Sequence, residues 1–454
     1  MKKNTLVDID IKESEYPNMS IGEYDGKTIK FKGGIKGQNV SVRIQRKKGD
    51  YYQAKLIEIN EKSKLENNKT CPMFDVCGGC KYQSLNYESE LIYKLDQLKK
   101  LYRENGLDEG LLSINRAPSS KAYRNKMEYT FGDEYKDGPL TLGLHKRNRF
   151  YEIVNTEGCN IVHEDFEKIR LRAMEFFQEN EIDFYHKKRQ KGFLKFMVVR
   201  KSITHGDLLI NLVTTSEDVM TYGLWSKFVE ALVDLDTEGR TVSIFHTISD
   251  SLADAIVPDY TELIWGREYI VETINDLDFR IGPFSFFQPN PLGAENLYKK
   301  ALEYAGDIEN KTVYDLYCGT GTISQIFAKK AKKVIGVEIV EEAVNKAMEN
   351  AKINELDNVE FICNDVMLEI GNLEKNADIL VLDPPREGIH PKAIDSIVGI
   401  KAPIVVYISC NPKTLVRDLQ IFKEAGYEIE KSTAYDQFPR TAHVEAVTRL
   451  VKVK

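Results

Sequence analysis

The 454-residue chain has no apolar run approaching the roughly 18 residues that span a bilayer, so no membrane-spanning helix and no membrane partner are expected. Its start, Met1-Lys2-Lys3-Asn4, meets Asp8 and Asp10 before any hydrophobic stretch develops, and no secretory leader is expected either. Cysteine is scarce: seven residues, an odd number unevenly clustered, argue against a disulfide framework and for metal or catalytic roles in a reducing cytoplasm. An excess of positive charge is also missing. A net charge of −7 by itself argues against nucleic-acid binding, but the bases are segregated. Lys27 to Lys64 carries eleven Lys/Arg against Asp50, Glu58 and Glu61, and His186 to Lys201 carries seven with no acid. Two basic segments on an acidic chain read as a local electrostatic footprint rather than as solvated faces alone.

Hydrophobic content of 42% and charged content of 29% are ordinary for globular proteins, and the length calls for two to four domains. Residues 1–60 alternate short apolar runs with glycine turns, the pattern of a small OB-like β-barrel. Residues 62–70 are polar and read as a linker, and apolar spacing predicts a helix over 87–102. Between 120 and 285, strands (193–199, 208–213) and a helix (222–235) mix without a repeat, an α+β pattern. From Gln288 onward the pattern turns regular. Helices at 291–304, 323–329, 341–351, 391–398 and 412–425 alternate with strands at 313–317, 333–338, 359–363, 378–382 and 403–408. That alternation predicts a doubly wound, Rossmann-like parallel sheet. The expected fold class is multi-domain α/β: a barrel over 1–60, a central α+β domain over 61–285, and the Rossmann-like domain over 286–454, with part of 87–118 packing on the last.

Gly319-Thr320-Gly321-Thr322 follows one predicted strand and opens a helix, the context of a nucleotide-type loop. With two glycines it lacks the dinucleotide signature G-x-G-x-x-G. Glu338 closes the next strand, 17 residues after Gly321, where a carboxylate can accept from both ribose hydroxyls. The combination suits NAD and S-adenosylmethionine equally, and the missing phosphate-cradling glycine tilts the choice to S-adenosylmethionine. Asn364-Asp365 ends the third strand and is placed to read an adenine amino group. Asp383-Pro384-Pro385-Arg386-Glu387-Gly388 ends the fourth, a rigid bend holding a carboxylate beside the cofactor's reactive end.

Cys410, in Ser409-Cys410-Asn411-Pro412, follows the apolar run 403–408, so its thiol is held at the sheet edge where α/β proteins bind ligands. Glu445, in His443-Val444-Glu445, lies just before the closing strand. Most cysteines are small core residues, and Cys318 and Cys363 read that way here. A nucleophile, a cofactor loop and a carboxylate in one domain point instead to covalent group transfer. Cys71, Cys77 and Cys80 are spaced C-x5-C-x2-C, with Gly78-Gly79 letting the chain wrap a cluster. Structural zinc sites usually show two short pairs, whereas three close cysteines and one distant ligand suit a cubane. On spacing alone both metals stay open.

Gln288 in Phe286-Phe287-Gln288-Pro289-Asn290, the 315–321 loop, the 383–388 turn, Ser409-Cys410-Asn411-Pro412 and His443-Val444-Glu445 occur in the order found in RNA uracil-C5 (m5U) methyltransferases. The chain resembles that family over nearly its whole length, departing at Pro289, where a valine is more usual. The resemblance implies that 1–60 is a TRAM barrel that binds RNA and that 286–454 is a class I methyltransferase domain. It implies that Gln288, Tyr317, Glu338 and Asp383, with Asp365, bind S-adenosylmethionine. Cys410 would be the nucleophile and Glu445 the proton acceptor. Cys71, Cys77, Cys80 and, as fourth ligand, Cys159 would hold a [4Fe-4S] cluster. Within the family, possession of the cluster points to a uridine of 23S ribosomal RNA, with transfer RNA the alternative. Arg124 is an expected RNA contact, and a cytoplasmic monomer is expected. One rival from another class is an iron–sulfur redox or radical RNA-modifying enzyme, which would want C-x3-C-x2-C. Another is a catalytically silent RNA-binding assembly factor, which would leave Cys410 and Glu445 without a purpose.

Overall fold

The computed structural model describes residues 1–67, 71–373 and 377–453, and three large sheets organise them. The first runs in the order Leu6–Asp10, Asn39–Lys48, Tyr51–Glu61, Lys27–Lys32, Met19–Tyr24, Glu13–Glu15. Its two outer members are consecutive in the chain. Where they join, the Ile11 N–H donates to the Gln38 carbonyl at 2.8 Å and the Lys12 N–H to the Ile21 carbonyl at 2.9 Å. Alternate side chains turn inward, and Val7, Ile9, Ile29, Phe31, Val40, Val42 and Ile44 form its core. Arg43, Arg46, Lys47, Lys48 and Lys55 stay exposed on the long hairpin. The polar stretch that follows is tied down rather than free. The Ser63 hydroxyl donates to the Lys36 carbonyl at 2.7 Å, and Glu66 accepts from Gln38 at 2.7 Å. Residues 68–70 of the expected linker lie outside the described residues.

The second sheet has seven strands, ordered Ile153–Val154, Thr141–His145, Lys126–Gly132, Leu194–Lys201, Asp207–Thr214, Arg240–Ile248, Tyr260–Gly266. Helices Glu164–Glu179 and Tyr222–Val233 share an aromatic core with it, including Phe166, Phe177 and Phe228. Leu194–Lys201 is buried along its whole length. This splits the basic segment 186–201 in two. Lys195, Arg200 and Lys201 are 5%, 2% and 4% exposed. They are consumed internally: Lys195 donates to the Ser249 and Ser251 carbonyls, Arg200 to Ser285, and Lys201 pairs with Asp165. Of the seven bases in this segment, Lys187, Lys188, Arg189 and Lys191 are left for the expected electrostatic footprint.

The third sheet has eight strands, in the order Val359–Cys363, Lys333–Glu338, Thr312–Leu316, Ile379–Leu382, Ile404–Ser409, Glu445–Lys452, Tyr427–Tyr435, Leu112–Asn115. The first five are parallel, as the alternation predicts, and Glu445–Lys452 slots antiparallel beside Ile404–Ser409. Strand residues alternate between two cores. Val313, Ile379, Val381 and Val406 face helices Pro291–Ala305 and Thr322–Ala328. Tyr314, Leu380, Leu382 and Val405 face helices Pro391–Gly399 and Pro412–Glu424. Leu112–Asn115 was not expected; it adds parallel to Tyr427–Tyr435, and helix Tyr87–Glu104 joins the same core through Leu98 and Tyr102. Strand order reverses between Thr312–Leu316 and Ile379–Leu382, which opens a crevice at their carboxyl ends. No helix among the described residues is long and apolar enough to cross a membrane.

Candidate active site

Thr312–Leu316 turns into the glycine loop at Tyr317, which takes the left-handed conformation (φ +67°), an uncommon state for so large a side chain. The Tyr317 and Cys318 N–H groups both donate to the Val337 carbonyl, at 2.9 and 3.1 Å, and latch the loop to the neighbouring strand. A Cβ on Gly321 would lie 2.6 Å from the Phe361 ring, whereas one on Gly319 would meet nothing within 4 Å. Gly321 thus closes the loop on its helix, and Gly319 faces open space. Glu338 accepts from the Gly319 N–H at 3.0 Å with one oxygen and from Ile339 and Val340 at 2.9 and 3.0 Å with the other. Its carboxylate is fixed at the rim with lone pairs to spare. Asp365 is engaged locally, accepting from the Met367 N–H at 2.7 Å as the cap of a short helix.

Beneath the loop Asp315 is fully buried. One of its oxygens accepts from the Ser324 hydroxyl at 2.5 Å, and Oδ1 has no partner. Burial lifts its carboxyl to about 7. Asp383, directly after Ile379–Leu382, is also lifted to about 7 by burial, with Asp315 adding to it. Burial pushes the Tyr298 phenol well above its ordinary range, the Asp383 and Glu445 charges add to the shift, and Gln288 opposes it. An open glycine rim, a fixed carboxylate and an orphaned buried acidic oxygen fit a cofactor that brings ribose hydroxyls and cationic groups. S-adenosylmethionine has both.

Cys410 follows Ile404–Ser409 and Glu445 begins the antiparallel neighbour. Because Ser409 pairs with Ala446, the next step in register sets Cys410 against Glu445. Glu445 is 3% exposed. Burial, with Asp383 beside it, raises its carboxyl well above the ordinary range, and Arg386 opposes the shift. Burial also pushes the Cys410 thiol up to about 12, with Glu445 and Asp383 adding to it and Arg386 again opposing. Cys410 therefore carries its proton at neutral pH. The Asp383 turn is stapled to the Cys410 helix: the Asn411 side-chain amide donates to the Arg386 carbonyl at 2.8 Å, and Arg417 donates to Ile389 at 3.0 Å.

The segment leading to Glu445 is clamped from several sides. Lys94, 2% exposed, pairs with Glu90 and Asp436, each at 2.7 Å. The Arg440 N–H and guanidinium donate to Glu90 at 2.6 and 3.1 Å. The Tyr123 hydroxyl donates to the Pro439 carbonyl at 2.9 Å, and Asn290 and Gln437 exchange hydrogen bonds at 2.9 and 3.0 Å. The Lys81 and Tyr82 N–H groups donate to the Arg440 carbonyl at 2.7 and 3.1 Å, which ties the cysteine segment to the same strap.

Cys71, Cys77, Cys80 and Cys159 line one cavity, with Phe74, Leu144 and Ile161 among the apolar walls. Burial pushes Cys80 up to about 12 and Cys159 to about 11, and neighbouring thiols add to both shifts. Arg147 straps the segment, donating to the Phe74, Cys80 and Cys77 carbonyls at 2.5, 3.1 and 3.4 Å. Among the described residues no group of three or more His, Cys, Asp or Glu is arranged to hold a metal ion. Thiolates of a cubane sit on four separate irons and stand farther apart than the ligands of one ion. An all-thiol donor set around one apolar cavity fits such a cluster.

The family model of tRNA (uracil-5-)-methyltransferases matches residues 258–453, the span that carries the crevice, Cys410 and Glu445. An uncharacterized RNA methyltransferase of Caldanaerobacter subterraneus subsp. tengcongensis is 43% identical over 456 residues, covering 100% of both chains. The chain belongs to the RNA uracil-C5 (m5U) methyltransferase family. Another relative, an uncharacterized RNA methyltransferase of Clostridium acetobutylicum, is 44% identical over 452 residues, covering 99% of this chain and 98% of its own. The crystal structure of Pyrococcus abyssi tRNA (uracil-54, C5)-methyltransferase with S-adenosyl-L-homocysteine matches with a TM-score of 0.75 and 26% identity, over 98% of this chain and 100% of that one. In this m5U methyltransferase the crevice gathers Gln288, Tyr317, Glu338, Asp383, Cys410 and Glu445, while Asp365 serves as a helix cap. Arg124 donates through Nε to the Lys126 carbonyl at 2.9 Å, an internal contact. Sequence reasoning assigned no role to Asp315 or Tyr298. A charged residue inside an apolar strand was the available signal for Asp315; Tyr298 had none.

Proposed function

We propose that this m5U-family enzyme methylates C5 of a uridine in 23S ribosomal RNA through a covalent bond from Cys410 to C6 of the base. The observation that carries the reading is the strand pairing that ends at Ser409 and Ala446, which leaves their neighbours, Cys410 and the buried Glu445, side by side at the carboxyl end of the sheet. C5 of uracil belongs to a conjugated enone and is a poor nucleophile. With its thiol proton lost to water, the Cys410 sulfur adds to C6, forming the S–C6 bond and moving the C5=C6 electron pair toward the C4 oxygen, so C5 becomes an enolate carbon. Gln288, Tyr317, Glu338 and Asp383 would hold S-adenosylmethionine, which would supply the methyl group that C5 takes and leave as S-adenosylhomocysteine. Glu445, as the carboxylate, removes the C5 proton; C5=C6 re-forms and the thiolate leaves. Arg386 favours the charged forms of both residues, the ones the reaction uses.

A stacked base cannot offer C6 to a thiolate, so the uridine is flipped or unpaired. The N-terminal sheet with its basic hairpin suits the TRAM barrel role of gripping RNA. Exposed Phe150 and Tyr151, with Lys187 and Lys188 over their rings at 4.8 and 4.4 Å, suit stacking on unpaired bases. We read the four-cysteine cavity as a [4Fe-4S] site that joins two distant segments. A second substrate, transfer RNA, is favoured by the match to the P. abyssi enzyme, which acts on uracil-54 of tRNA. The deciding experiment maps m5U in ribosomal and transfer RNA from a strain lacking the gene. Loss of one 23S site supports the proposal, loss confined to tRNA replaces the substrate, and unchanged m5U in both contradicts it.

A further inference from the structure

The cavity lined by Cys71, Cys77, Cys80 and Cys159 also carries the polar side chains of Gln83 and Thr156, and among the described residues the rest of its side chains are apolar. Gln83 is fully buried and donates through Nε2 to the Cys80 sulfur at 3.6 Å. Its amide is locked against Asn160. Gln83 Nε2 donates to Asn160 Oδ1 at 2.8 Å, and Asn160 Nδ2 returns a bond to Gln83 Oε1 at 3.3 Å. Asn160 directly follows Cys159, so this amide pair joins the two segments that supply the thiols. The Gly79 N–H donates to the Cys77 sulfur at 3.4 Å. Thr156 lines the cavity from just before Cys159 and is 3% exposed, yet its hydroxyl oxygen has no hydrogen-bond partner. A buried hydroxyl left unpaired is costly, so its acceptor should arrive with whatever the cavity takes up. A single zinc on four thiolates brings no acceptor of its own, whereas a cubane brings inorganic sulfides.

We propose that Gln83 and Thr156 are hydrogen-bond donors to the sulfur of a [4Fe-4S] cluster in this cavity, Gln83 to the Cys80 thiolate and Thr156 to an inorganic sulfide. The inference rests on the reading of the cavity as a cubane site. A donor aimed at sulfur favours the cluster's electron-richer form, because that form places more negative charge on the sulfur. The two side chains thus raise the cluster's reduction potential and guard it against oxidative loss. The segment so guarded is the one whose Lys81 and Tyr82 N–H groups hold Arg440, in the strap that leads to Glu445. A purely structural threonine makes no such demand: removing its hydroxyl must move the potential while the cluster stays bound.

The test uses full-length protein purified without oxygen, measured by iron content, by voltammetry of the cluster, and by resonance Raman spectra in H2O and in D2O. Thr156→Val keeps the shape of the side chain and removes its hydroxyl. The expected result is about four irons per chain, as in wild type. The balance between reduced and oxidised cluster should shift roughly tenfold toward oxidised, a midpoint about 59 mV lower for a one-electron couple. The Fe–S stretching bands should also lose part of their sensitivity to D2O, a comparison that needs no redox change. Thr156→Ser keeps the hydroxyl and should match wild type in both readouts. Gln83→Leu should lower the midpoint in the same direction or shed the cluster. An unmoved midpoint and an unchanged D2O effect in Thr156→Val overturn the Thr156 role, and so does a Thr156→Ser that shifts as far. Iron lost from Thr156→Val but kept by Thr156→Ser supports the hydroxyl as a holding contact, and equal loss from both overturns it. A full iron load with an unmoved midpoint in Gln83→Leu overturns the Gln83 role. Colourless wild-type protein carrying zinc would remove the cubane reading and this inference together; brown protein whose variants all match wild type would remove only the donors.

Discussion

Cys410 carries its proton in the free protein because burial dominates, and the carboxyls of Glu445 and Asp383 reinforce it, at a thiol raised to about 12. Alkylation needs the thiolate. Iodoacetamide should therefore label Cys410 slowly at pH 7, with a rate that climbs about tenfold per pH unit up to pH 9, and Asp383→Asn should speed labelling at fixed pH. Peptide mass spectrometry resolves Cys410 from the exposed Cys363; labelling of Cys410 that is fast and flat with pH would contradict the buried, acid-flanked environment. Asp383 has a second consequence. Its folded carboxyl titrates near 7 against an ordinary 3.8, so the fold prefers the protonated form. Its favourable contribution is complete below about pH 4 and is lost as pH rises through 7. Asp383→Asn removes the charge that burial disfavours. It should raise stability by roughly 1–3 kcal/mol at pH 8 and by less at pH 5, while abolishing activity, as expected where function is built at the expense of stability. Denaturant midpoints at the two pH values check this; equal effects at both would show that Asp383 ionises freely.

The strap from Asp436 to Val444 shows at the level of elements how a catalytic group is held by parts far apart in the chain. Lys94 sits between two buried carboxylates, and Lys94→Met leaves Glu90 with Arg440 and takes away the cation that pairs with Asp436. Breaking such a buried pair costs about 3–5 kcal/mol, expected here as a lower denaturant midpoint; a loss under about 1 kcal/mol would mean that water already screens the cluster. None of this was legible in the sequence, because Glu90, Lys94, Asp436 and Arg440 look like solvated charges until the fold buries them. The parallel strands were legible for the opposite reason. Each is a short apolar run bounded by Gly, Asp or Pro, and the helices between them keep a clear spacing, so boundaries differ by only a residue or two. Leu112–Asn115 was missed because four residues carry too little pattern, and its partner Tyr427–Tyr435 is recognisable as an edge only once Glu445–Lys452 is paired. The sequence located Cys410 and Glu445 as ends of strands. It could not show that the antiparallel pairing would leave them side by side.

Across the whole molecule, segments far apart in the chain converge on one strap. The cysteine segment holds Arg440 through Lys81 and Tyr82, the helix 87–104 holds Asp436, and Tyr123 holds Pro439. If the cysteine cavity holds the cubane proposed above, anaerobically purified protein should be brown and contain about four irons per chain. Cys77→Ser and Cys159→Ser should each bleach it and lower thermal stability; colourless protein with one zinc per chain would show the wrong metal, leaving the Cys410 chemistry untouched. The most direct test of the central claim is the fate of RNA on Glu445→Gln protein supplied with S-adenosylmethionine, analysed by denaturing gel and by mass spectrometry of the cross-linked peptide. The expected product is a protein–RNA species that survives denaturation, joins the Cys410 sulfur to a uridine already bearing the C5 methyl group, and disappears when Cys410→Ala is added. Normal turnover by Glu445→Gln without adduct, or methylation persisting in Cys410→Ala, would contradict the mechanism.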